Sequence, residues 1–114
     1  MEFNEHFKNA VTEINDRRLS DPQVQEALSR YHGRSLVFRV RNDATYVFHI
    51  SNDGLKYEIN PDTITDDMYL EMDLARAKKL VYYQSLGVFD IPFTVHRNIT
   101  LADISFTKRI FGKK

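Results

Sequence analysis

The chain contains no cysteine, so neither a disulfide framework nor a thiolate-held metal centre can form. Tryptophan is also absent, and there are only 4 glycines and 3 prolines. A phosphate cradle needs clustered glycines. Here Gly54 falls in a turn pattern, while Gly33 and Gly87 read as helix ends. Neither sign of charge is in excess, with 16 lysines and arginines against 16 aspartates and glutamates. Nucleic-acid binders usually carry a basic surplus, and so do surfaces made for anionic membranes. The composition argues against both. No apolar run approaches the roughly 20 residues that span a bilayer. The opening MEFNEHFKNA is polar and lacks a signal-peptide pattern, so a cytoplasmic location is expected. The G-x-S-x-G, H-E-x-x-H and phosphate-loop patterns do not occur.

What is present fits one soluble domain over residues 1–114. Hydrophobic residues make up 42% and charged residues 28%, enough apolar material for a single core. Phe3, Phe7, Val11 and Ile14 recur at helical spacing and predict a first helix ending near Arg17. In LSDPQVQEALSRYHG, Ser20 or Asp21 is placed to cap, Pro22 suits a first turn and Gly33 an end. Val24, Leu28 and Tyr31 form the apolar stripe of this second helix.

Alternation then takes over. Leu36, Phe38 and Val40 alternate with Val37, Arg39 and Arg41, and YVFHISNDGLKYEI alternates on both sides of Asp53-Gly54. A two-residue Asp53-Gly54 turn would pair Ile50 with Tyr57 and Phe48 with Ile59. A three-residue Asn42-Asp43-Ala44 loop would pair Val40 with Tyr46 and Phe38 with Phe48. Met68, Leu70 and Met72 predict a fourth strand. Asp73 then caps a helix, LARAKKLVYYQSL, expected to close at Gly87. Phe93–His96 reads as a short fifth strand, and Thr100-x-x-Asp103 reads as a capping box opening a last helix. Shared parity puts Phe38, Val40, Phe48, Ile50, Tyr57, Ile59, Leu70 and Val95 on one buried face. Arg39, Arg41, His49, Lys56 and Glu58 fall on the other. The outline is an α+β domain with helices gathered on one face of a sheet.

This order of parts resembles the type-two sterol carrier protein family. The resemblance is carried by SDPQVQEAL followed by Gly33 and LVFRV, by NDATYVFHISNDGLKYEI, by ITDDMYLEMDLARAKKL and by FTVHRNITLADISF. It implies a five-stranded, mostly antiparallel sheet of order 3-2-1-4-5, with an apolar cavity between sheet and helices. Two features depart from the family pattern. Arg97 stands where a glycine usually follows the last strand, and the SLGVFDIP segment is shorter than usual.

Chemistry-bearing groups are few. His49 and Glu58 would face each other on the polar side of the sheet, an acid–base pair or an ordinary cross-strand pair. The second reading is preferred, because no nucleophile or metal motif lies beside them. His49 and His96 would be separated by two strands in the implied order, too far to share a metal. Asp62, Asp66 and Asp67 cluster in a loop without the spacing of a calcium site. The ligand candidates are apolar: Leu80, Tyr83, Leu86, Phe89, Phe106, Ile110 and Phe111, at the end of the sheet where the resemblance implies a cavity. The expected function is therefore non-enzymatic carriage of a hydrophobic small molecule, such as a fatty acyl chain, an acyl-CoA or an isoprenoid. No cofactor, metal, nucleic acid or integral membrane segment is expected. The alternative is an interaction module for an enzyme partner in lipid or quinone metabolism.

Overall fold

A computed structural model describes residues 1–64 and 67–110, apart from the side chains of Leu101 and Arg109. Two helices, α1 (Asn4–Arg17) and α2 (Pro22–Arg30), precede a meander of β1 (Ser35–Arg41), β2 (Ala44–Ser51) and β3 (Gly54–Ile59). The chain then crosses to β4 (Met68–Asp73) and turns directly into α3 (Leu74–Lys78). A π-helical turn (Lys79–Tyr83), a 3-10 segment (Val88–Phe93), β5 (Val95–Arg97) and α4 (Leu101–Ile110) complete it. The sheet order is β3-β2-β1-β4-β5. Among the described residues only the β1–β4 contact is parallel; the other three pairings are antiparallel.

The core lies between the helices and one sheet face. Phe3, just before α1, and Phe7 within it meet Phe38, Tyr46, Phe48 and Tyr57 from the strands, mostly tilted or edge-on. This geometry suits ring quadrupoles better than face-to-face stacking. Leu28, Met68, Met72, Val81 and Ile110 close the same core.

Both hairpins differ from the sequence expectation by two residues. Phe38 pairs with Tyr46 and Val40 with Ala44, so the three-residue loop is Arg41-Asn42-Asp43. Asn42 adopts the left-handed conformation this loop requires, at φ 65°. Phe48 pairs with Tyr57 and Ile50 with Leu55, so the second turn is Asn52-Asp53 and Gly54 starts β3. The cause is α1. Asn15 accepts from the Leu55 N–H at 2.7 Å and donates to the Leu55 carbonyl at 3.1 Å. A Cβ on Gly54 would stand 2.2 Å from the Asn15 Oδ1. Glycine is needed where the helix closes on the edge strand. A two-residue slip preserves parity, so these strands keep their expected faces.

Two expectations are corrected outright. Val95 pairs with Glu71 and therefore shares the face of Arg39, while His96 pairs with Leu70 and faces the helices. So short a strand takes its parity from the preceding 3-10 turn, where both Thr94 N and Thr94 Oγ1 donate to the Ile91 carbonyl. The helix after β4 does not run to Gly87. It widens into the π-turn and stops at Gln84, at φ 49°.

Candidate functional site

Two places carry a constellation of side chains. One is the polar sheet face. Ser35 Oγ lies 3.0 Å from His49 Nδ1, and His49 Nε2 lies 2.6 Å from Glu58 Oε2. A serine–histidine–carboxylate chain is the arrangement of nucleophilic hydrolysis. Here it lacks the surroundings that chemistry needs. Ser35 is buried. Its own backbone N–H is taken by Asp67 Oδ2 at 2.9 Å. Asp67 also receives Arg34 at 2.9 Å, so a carboxylate rather than a free donor stands beside the Ser35 backbone. The chain reads as a structural cross-strand network. Asp67, from the acidic loop, is thus occupied in bracing β1; Asp66 lies outside the described residues.

The other place is a cleft of about 430 Å³ on the opposite face, at the β4–β5 end. Its walls are Leu70 of β4, His96 of β5, Leu80 of the π-turn, Leu86, Ile91 and Thr94 of the connection, and Ile99, Thr100, Ile104 and Thr107 around α4. Ligand sites typically measure 300–1,000 Å³ and are largely apolar, and this one fits both descriptions.

The cleft exists because each wall is fixed from outside. α4 begins with the expected capping box: Thr100 N–H donates to Asp103 Oδ2 at 2.9 Å, and Asp103 N–H donates to Thr100 Oγ1 at 3.3 Å. Tyr31 donates to the other Asp103 oxygen at 2.6 Å. Burial works to raise the Asp103 pKa, but the bonds from Tyr31 and Thr100 outweigh it and hold the carboxyl below its ordinary value. On the far wall, the 3-10 segment is tied down by Asp90. This carboxylate accepts from the Gly87 N–H at 2.9 Å and pairs with Arg76 and Lys79 at 3.2 and 3.3 Å. The Arg76 guanidinium also sits 4.2 Å over the Phe93 ring, and Arg41 donates to the Phe93 carbonyl. Gln84, in the left-handed conformation, ends the π-turn ahead of this segment.

Among the polar lining groups, Thr94 and Thr107 donate to carbonyls of their own turns, and Thr100 accepts within the capping box. Among the described lining side chains only His96 is ionisable. The cleft can hold an apolar body and offer one ring nitrogen to a polar end.

The sequence candidates divide among several places. Leu80 and Leu86 line the cleft. Ile110 is fully buried in the core. Phe106 is buried but stacks on Tyr31 at 4.2 Å, beside a smaller hollow between α2 and α4. Tyr83 and Phe89 project into solvent, 71% and 89% exposed. Phe111 lies outside the described residues. Sequence reasoning passed over Ile91, His96, Ile99 and Ile104. A signal was available for Ile104: it lies off the Ala102–Phe106–Ile110 stripe, and a second apolar position on a helix's other side points to a second contact.

No protein-family profile and no curated protein sequence matches the chain. Solved structures do. A protein described as a UbiJ-SCP2 ubiquinone synthesis protein superposes with a TM-score of 0.64 at 13% identity, covering 92% of this chain and 91% of that one. A conserved hypothetical protein from Thermus thermophilus, whose description suggests a sterol carrier protein, gives 0.54 at 17% identity, covering 83% and 77%. Together with the 3-2-1-4-5 sheet and its helical cover, these likenesses make the fold of this chain that of the type-two sterol carrier proteins.

Proposed function

We propose that this protein is a non-enzymatic carrier that holds a hydrophobic small molecule in the cleft between β4–β5 and α4. The observation that carries this reading is the cleft itself. It is roughly the volume of a small-molecule site, walled by Leu70, Leu80, Leu86, Ile91, Ile99 and Ile104, with hydroxyls already bonded to the protein. Binding would be equilibrium sequestration, driven by apolar ligand area leaving water at roughly 25 cal/mol per Å². Fatty acyl, acyl-CoA and isoprenoid chains all suit such walls. Likeness to a protein described as acting in ubiquinone synthesis supports the isoprenoid class among them, and His96 is placed to meet a carbonyl or hydroxyl at its polar end. Within this reading Leu80 and Leu86 contact ligand directly. Phe106 and Ile110 support the α4 wall from behind.

The test is to strip the protein of lipid with solvent, then melt it with each ligand class. A ligand at 100 times its Kd stabilises the native state by about 2.7 kcal/mol, on the order of 10 °C for a domain of this size. Ile104→Trp should fill the cleft and abolish the shift while leaving the protein folded, because Ile104 is partly exposed. Failure of every ligand to shift the melt, with no lipid mass on the purified protein, would replace the carrier with the interaction-module reading. A specific feature favours that second reading: Val88, Phe89 and Phe93 stand exposed beside the cleft. A stable complex with an enzyme of quinone or lipid metabolism in pull-down is its expected result.

A further inference from the structure

On the sheet face turned away from the core, arginines from two strands gather around a third. Arg39 and Arg41 come from β1 and Arg97 from β5, and β4 between them contributes Tyr69 and Glu71. The register sets Arg39 opposite Glu71, and Arg97 opposite Tyr69. Arg41 donates to Glu71 Oε2 at 3.1 Å. Tyr69 donates to the other oxygen of the same carboxylate. The Arg97 guanidinium lies 4.2 Å over the Tyr69 ring.

The charges at this spot do not balance. Asp73, next along β4, is paired with Arg76, and Glu58, on the far side of β2, is bonded to His49. Among the described residues that leaves Glu71 alone to meet three guanidiniums, a surplus of two positive charges. The bond from Tyr69 first, then Arg41 and the nearby Arg39 charge, hold the Glu71 carboxyl below its ordinary value against its burial. Glu71 therefore stays ionised at neutral pH, and Arg41 stays with it. Arg39 and Arg97 remain. Both are exposed, and neither forms an ion pair with a described carboxylate. Arg97 is not loose, because Tyr69 carries it and Glu71 anchors Tyr69. Arg41 in turn is fixed at its other nitrogen, which donates to the Phe93 carbonyl at 3.2 Å. A guanidinium laid flat on a ring presents its fork of donors in a set direction.

Paired forks of this kind match oxyanions. A carboxylate would answer one of the two surplus charges. A phosphate monoester carries about −1.5 to −2, with three strong acceptor oxygens, and answers both. A phosphodiester, as in nucleic acid, brings a single charge per group. Val95, exposed and opposite Glu71 in the register, offers an apolar rest for the organic part of an ester.

We propose that the outer face of β1, β4 and β5 is a binding site for the phosphoryl group of a phosphate monoester, which Arg39 and Arg97 grip while Arg41, Glu71 and Tyr69 hold them in place. The site lies on the other side of β5 from the cleft, goes beyond the carrier reading and does not depend on it.

The test is to titrate methyl phosphate into the isotope-labelled full chain, with dimethyl phosphate as the singly charged control. The Nε–H resonances of Arg39 and Arg97 and the β4 and β5 amides should move saturably with methyl phosphate and little with dimethyl phosphate. Arg39→Gln with Arg97→Gln should lower the affinity by roughly tenfold or more, because charge-assisted bonds are lost at both. The melting temperature should not change, since both side chains are exposed. Arg97→Lys keeps the charge but not the stacked fork, and its affinity should fall between. Lys8→Gln, at an exposed cation of α1, should bind like the parent. No saturable movement at millimolar methyl phosphate, an equal response to the two phosphates, or a double variant that binds like its parent would overturn the proposal. Vesicles of phosphatidylcholine with phosphatidic acid present the same monoester on a surface. Sedimentation with them that methyl phosphate competes away would support the site with a lipid headgroup as its source; methyl phosphate binding without sedimentation would support it with a soluble ester. Apolar ligands should shift the melt of the double variant as they do the parent's, so loss of either response discards only the reading it tests.

Discussion

Gly54 shows how a single residue fixes a register. Its φ of +122° and its closeness to Asn15 both exclude a side chain. Gly54→Ala is expected to cost well over 1 kcal/mol, more than the Asn15→Ala change that removes only the edge-strand bonds. Chemical denaturation of the two variants would rank them. Phe106 is a different kind of residue, buried and stacked on Tyr31. Phe106→Ala should cost about 3–5 kcal/mol and should reduce ligand binding only by loosening α4. His49→Ala removes a partly exposed member of the Ser35–His49–Glu58 network. It should change stability by about 1 kcal/mol or less and leave any ligand shift intact.

The helix α4 depends on its first turn. Thr100→Ala removes the hydroxyl that receives the Asp103 N–H, and cap losses of this kind cost about 1 kcal/mol. Asp103→Asn should cost more, about 1–3 kcal/mol, because a buried bond from Tyr31 to a charged acceptor is weakened at the same time. Hydrogen exchange should then show α4 opening before β1 and β2, which are central in the sheet. In the segment opposite, Arg76 alone joins Asp73, Asp90 and Phe93. Arg76→Met should free the 88–93 segment, seen as faster proteolysis there, with the sheet still formed.

Taken together, the molecule has an acid-sensitive frame. Burial opposes ionisation of Asp43, Asp67 and Asp103, yet bonds from Tyr46, Arg34 and Tyr31 outweigh it and leave each below the ordinary aspartate value of 3.8. Lowered carboxylates stabilise the fold fully above their unfolded pKa and cease to do so as pH falls through the lower folded value. Melting temperature should thus be level from about pH 5 upward and fall below about pH 4. The alkaline side has the opposite sign. Burial first, and the bond to Asp103 second, push Tyr31 up to about 12. Its contribution is complete below pH 10, the unfolded value, and is lost as pH rises through about 12. Thermal melts across both limits test the two signs. Among the described residues no helix is long and apolar enough to cross a membrane.

Periodicity and local chemistry were sufficient for much of this. Alternation placed Phe38, Phe48 and Leu70 on the core side. Asp21 and Asp73 cap their helices as their positions suggest, accepting from the Gln23 and Arg76 N–H groups, and Thr100–Asp103 forms its box. These features depend on neighbours a few residues away, so they are written in short stretches. The register of the hairpins was not, because it rests on Asn15 meeting Gly54 across some forty residues. Nor was the parity of β5, too short to show a pattern and governed by the turn before it. The cleft is the furthest from local chemistry: it is space left between α4 and the 88–93 segment when Tyr31 and Asp90 pin them from either side. A gap has no residue of its own, and only the meeting of distant segments creates it.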